Sequence, residues 1–85
     1  MLFWLELAKL ELQSHKPQLA LSNVNEALKR QPSYLEAYFV RAQVLAVLGD
    51  KAGAQKDLRQ VVQRGAGRPG LVAKAQKMLT ALESR

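Results

Sequence analysis

The chain contains no cysteine and a single histidine among its 85 residues. Without thiols, disulfide staples and thiolate metal sites are both excluded, and one imidazole cannot build a zinc site. The redox compartment stays open on this ground, with the cytoplasm slightly favoured. Long hydrophobic runs are missing too: no apolar run exceeds five residues, far below the roughly 18 needed to cross a bilayer. No charged segment precedes the first run, so neither a membrane span nor a targeting segment is expected. Aromatics are scarce and confined to the first half, as Phe3, Trp4, Tyr34, Tyr38 and Phe39. A chain of this length is read as one domain, 1–85, able to bury only about 60 to 65% of the surface it exposes when unfolded.

What is present in excess is positive charge. Thirteen Lys and Arg against seven Asp and Glu give +6, and residues 43–85 carry eight basic against three acidic side chains. Such a balance could draw in nucleic acid, anionic lipid or an acidic protein, and it also simply favours solubility.

A more specific signal is internal repetition. One constant offset along the chain lays Ala8 on Ala42, Ala20 on Ala54, Arg30 on Arg64, Trp4 on Tyr38, Leu10 on Val44, Val24 on Leu58, Ala27 on Val61 and Leu28 on Val62. Identity is sparse, but residue bulk is copied, as two versions of one packing unit require. Each copy divides into two helices. The first, Leu2 to about Gln13, is apolar around most of its circumference and is expected to be covered on several sides. Ser14 to Pro17 break it. Pro17 suits the first turn of the next helix, where its missing N–H costs nothing. That helix, to Arg30, places Ala20, Val24, Ala27 and Leu28 on one face.

Pro32 ends this helix, and Ser33 is expected to be the N-cap of a third, Tyr34 to Leu48. Gly49 can adopt the left-handed conformation that closes a helix, and Asp50 can cap a fourth, Lys51 to Arg64. In the first copy His15 occupies the position of Gly49, a site histidine tolerates better than most residues. A final helix, Leu71 to about Glu83, shows Val72, Ala75, Leu79 and Leu82 on one face.

These residues resemble the tetratricopeptide repeat (TPR) family. Its run of an aromatic, then Leu and a small residue, Gly-Asp, Ala, a large apolar residue, Ala and Pro is met by Trp4, Leu7, Ala8, Ala20, Val24, Ala27 and Pro32. The second copy supplies Tyr38, Ala42, Leu45, Gly49, Asp50, Ala54, Leu58 and Val61. Glu11, His15, Arg41, Val61 and Ala66 depart from it. The resemblance implies an all-α solenoid of antiparallel helix pairs with about five helices: repeat one at 1–34, repeat two at 35–68, and a terminal capping helix at 70–84.

It also implies a non-catalytic scaffold that holds a protein or peptide in a concave groove. Carried over by position, the groove is Leu2, Leu5, Lys9, Leu12 and Gln13, with Glu36, Phe39, Gln43, Ala46 and Val47, and Lys74 from the last helix. Such a wall suits a mostly apolar peptide or amphipathic helix bearing an acidic group. The subclass that clamps a C-terminal carboxylate would need basic or amide side chains at Leu5, Lys9, Val40, Gly70 and Lys74; two of these are basic and none is an amide. Phe3 and Leu10 point where a preceding helix would pack in a longer array. The chain is therefore expected to be part of a longer protein, or to pair with a second copy through Leu2, Phe3 and Leu10.

Three motifs offer chemistry. Residues 65–70, GAGRPG, match the dinucleotide fingerprint letter for letter, but that fingerprint works only between a strand and a helix, and here a helix precedes it. Ser14 and His15 are adjacent on a turn, with no acid placed to orient the imidazole. Glu6 and Glu11 do not share a helix face. The chain is read as no enzyme, with no cofactor. The basic residues Lys51, Lys56, Arg59, Arg64, Arg68, Lys74 and Lys77 supply an alternative, a nucleic-acid-associating helical domain. That alternative lacks the interleaved aromatics that stack on unpaired bases.

Overall fold

A computed structural model describes residues 2–84, with the backbone alone for Leu2 and Phe3. Five helices follow one another: α1 Leu2–Gln13, α2 Pro17–Arg30, α3 Leu35–Val47, α4 Lys51–Arg64 and α5 Pro69–Glu83. No strand occurs among the described residues. Each helix packs on its neighbours in the chain, most extensively α1 on α2 and α3 on α4, and α1 also touches α3. The molecule measures 29 × 27 × 17 Å. Its short dimension accommodates two layers of helices with axes about 8 to 10 Å apart.

The turns explain why the helices stop where they do. After α1, the N–H of Lys16 donates to the carbonyl of Glu11 at 2.8 Å and that of His15 to Leu12 at 3.2 Å. After α3, Asp50 donates to Leu45 at 2.8 Å and Gly49 to Ala46 at 3.2 Å. Both are Schellman closures, which satisfy the last carbonyls by letting one residue turn left-handed. Those residues are His15, φ 62°, and Gly49, φ 88°. His15 thus accepts a conformation that costs a side chain of the L series about 1 kcal/mol or more. The offset that carries Ala8 to Ala42 carries each of these bonds onto its counterpart. It does the same for the bounds of α2 and α4 and for their first helical bonds, Ala20 to Lys16 and Ala54 to Asp50.

Proline opens both α2 and α5. The side chain of Asp50 caps α4 by accepting from the N–H of Gly53 at 2.9 Å. Two helix starts differ from the sequence reading, and α3 ends at Val47, one residue before the expected Leu48. Ser33 is not the N-cap of α3: Tyr34 holds that position without a side-chain bond, because a turn in which Tyr34 donates to Gln31 carries the chain further before the helix begins. The last helix starts at Pro69, ahead of the expected Leu71, since proline at the first position needs no N–H partner. Gly65 makes the approach to α5 possible; a Cβ there would lie 2.5 Å from the carbonyl oxygen of Val61 and 2.4 Å from a Val72 methyl.

Burial follows the small-residue pattern. One cluster gathers Leu5, Ala8, Ala20, Val24, Ala27, Leu28, Ala37, Val40 and Val44, with Trp4 and Tyr38 against it. A second gathers Ala42, Ala54, Leu58, Val61 and Ala75, and Tyr38 touches this one as well. Ala20 and Ala54 are both fully buried, as expected where helices must approach closely. The aromatic rings of Trp4 and Tyr38 are each roofed by a guanidinium, Arg30 at 5.2 Å and Arg41 at 5.4 Å.

Candidate binding cleft

The face of α3 that carries Glu36, Phe39, Val40 and Gln43 looks into an open cleft of about 340 Å³, whose other walls are Lys9, Leu12 and Gln13 of α1 and Leu71 and Lys74 of α5. The spacing of 36, 40 and 43 places these side chains on one stripe of a 3.6-residue helix. The cleft's lining is mixed: Leu12, Phe39, Val40 and Leu71 are apolar, and Lys9, Gln13, Glu36, Gln43 and Lys74 are polar. At one side the ammonium of Lys9 donates to the carboxylate of Glu36 at 3.0 Å, tying α1 to α3, and lies 3.4 Å from Glu6. That bond to Glu36 holds the Lys9 pKa above its ordinary range. Lys74 stands exposed on the opposite wall.

Of the groove residues expected from sequence, Lys9, Leu12, Gln13, Glu36, Phe39, Gln43 and Lys74 share this cleft. Leu5 does not. At 1% exposure it is a core side chain, enclosed in the first cluster with residues of α2 and α3, and it does not line the cleft. Ala46 packs on the second core cluster. Val47, 64% exposed, projects near the end of α3 without lining the cleft. The side chains of Leu2 and Phe3 lie outside the described residues. Leu10, named with them for self-association, is exposed. Val40 and Leu71 are absent from the expected wall; Val40 is one helical turn after Glu36, which is the signal that could have found it.

A second, shallower cleft opens half a turn around α3, between Leu21 and Asn25 of α2, Arg41 and Leu45 of α3, and Gly53, Lys56 and Asp57 of α4. Its floor holds a fork of charge-assisted bonds. Arg41 donates from Nε and Nη2 to the two carboxylate oxygens of Asp57, both at 2.8 Å, and from Nη1 to the side-chain oxygen of Asn25 at 3.0 Å. Asp57 is 4% exposed and is the buried charged side chain of the core. The bond to Asp57 raises the Arg41 pKa further. Three helices thus meet at one guanidinium.

The chemical motifs fall apart in three dimensions. GAGRPG connects α4 to α5, with a helix on either side in place of the strand that the fingerprint needs. Ser14 and His15 are both exposed at the first turn. Among the described residues no group of three or more metal-ligating side chains is assembled, and no helix is long and apolar enough to cross a membrane. Lys51, Lys56, Arg59, Arg64, Arg68, Lys74 and Lys77 are exposed along α4, the following loop and α5, and one of them, Arg59, sits 4.0 Å from Glu83. No family model, curated protein or solved structure matches the chain.

Proposed function

We propose that the chain is a non-catalytic scaffold of two tetratricopeptide-type repeats, 1–34 and 35–68, stacked as an α-solenoid and closed by α5. The cleft between α1, α3 and α5 holds a peptide or helix of a partner protein. The observation that carries the reading is the recurrence of the same pair of turn-closing bonds, at His15 and Lys16 in one half and at Gly49 and Asp50 in the other. One unit of packing is written twice. Its inner helices α1 and α3 both face the cleft, whose lining combines the apolar Leu12, Phe39 and Leu71 with Lys9, Glu36 and Lys74. An amphipathic segment with an acidic group would match such a wall in shape and in sign.

Peptide ligands selected from a display library test this. Against the tightest of them, Phe39→Ala should weaken binding at least tenfold, about 1.4 kcal/mol, while raising salt from about 50 to 200 mM should change affinity little. Ligands that ignore Phe39→Ala would place binding elsewhere. Tight association with single-stranded nucleic acid that collapses over the same salt range would instead support a phosphate-binding role for the basic residues of α4 and α5.

A further inference from the structure

The repetition that gives the protein its form also creates an ambiguity. Helix α3 lies against both α2 and α4. Those two helices share length, relative position and a fully buried alanine, Ala20 in one and Ala54 in the other. Turns of three residues join α1 to α2 and α3 to α4 and so set the two hairpins, but apolar pattern alone does not tell α1 to stay on α2 in preference to α4 in the wider packing. Charge does. Position 41 carries arginine where the first repeat has Leu7, and position 57 carries aspartate where the first repeat has Asn23. Asn23 is occupied elsewhere, donating to Glu11 at 2.6 Å.

We infer that the Arg41 to Asp57 fork is a sorting device, holding α3 against α4 during folding and rejecting the exchanged pairing of α1 with α4. In the exchanged arrangement Leu7 would face Asp57, burying a carboxylate against a hydrocarbon, while Arg41 would meet the neutral amide of Asn23. An uncompensated buried charge is among the most costly defects a small core can carry. Discrimination by a penalty on the wrong partner requires no gain in the right one. The remaining guanidinium nitrogen, bonded to Asn25 of α2, lets the same residue set how the first helix pair sits on the second.

The test is stopped-flow refolding after a brief unfolding pulse, short enough that Pro17, Pro32 and Pro69 keep their native isomers. Wild-type protein should refold in one phase. The variant Arg41→Leu/Asp57→Asn, which writes the first repeat's residues into the second, should stay helical with an unfolding midpoint near wild type, yet gain a slower phase from mispaired chains. Arg41→Lys, keeping the charge but losing the fork, should be less stable and still refold in one phase. A double variant that refolds in one phase at the wild-type rate overturns the inference. So does one that fails to fold, since the pair would then act through stability alone, or a slow phase in Arg41→Lys.

Discussion

Arg41→Leu should lower the free energy of unfolding by about 3 to 5 kcal/mol, a large part of what a small domain possesses. The loss does not come from the arginine. It comes from Asp57, 4% exposed on α4, which would be left as a buried carboxylate without a cation. Asp57→Asn should cost less, about 1.5 to 3 kcal/mol, because the guanidinium it abandons is 27% exposed and retains Asn25 and the face of Tyr38. Water can reach what remains. Combining Arg41→Leu with Asp57→Asn should recover much of the first loss, since a buried ion pair exchanged for a well-packed neutral pair is often close to neutral. Urea unfolding of the two single variants and the double variant reads all three values. Equal costs for Arg41→Leu and Asp57→Asn would mean that burial is not what sets the scale.

Three leucines of α1 provide the second large effect and its internal controls. Leu5→Ala should cost about 2 to 5 kcal/mol, because Leu5 is enclosed by the first core cluster and truncation leaves a cavity. Leu10→Ala, on an exposed side chain, should fall within about 0.5 kcal/mol of wild type. Leu12→Ala, half-buried on the cleft wall, should lie between them. Thermal or urea unfolding of the three variants settles the order. A Leu5→Ala protein as stable as Leu10→Ala would return Leu5 to the groove.

Much of the architecture can be read from the residues alone, because helix boundaries here are set by local chemistry. Pro17 fixes the start of α2, Gly49 and Asp50 separate α3 from α4, and His15 takes the left-handed role of Gly49 in the other copy. The all-helical fold with five helices follows from that punctuation and from apolar stripes at 3.6-residue spacing. Ser33 misleads because a capping side chain is only one way to begin a helix; the Gln31 to Tyr34 turn supplies another. Position on a repeat does not report that Leu5 is enclosed among side chains of α2 and α3.

The Arg41 to Asp57 fork is readable in principle. Arg41 stands at an apolar position of the repeat, where the other copy has Leu7, and Asp57 adjoins the buried Ala54, Leu58 and Val61 of α4, so opposite charges within one predicted hairpin point to each other. Taken singly, Arg41 is only a departure from a repeat pattern, and nothing marks Asp57 out. Cleft geometry is less accessible. Lys9 and Glu36 are far apart in the chain and meet only once α1 lies beside α3. Leu71 joins the wall because α5 begins at Pro69.

The central claim is that one packing unit is built twice, at the fixed offset that carries Lys16 onto Asp50. Its most direct test is the measurement, by solution NMR, of scalar couplings transmitted through backbone hydrogen bonds. Couplings are expected from the Lys16 amide to the Glu11 carbonyl and from the Asp50 amide to the Leu45 carbonyl, one closing each turn. Couplings at unrelated positions in the two halves, or across an extended ladder, would contradict it.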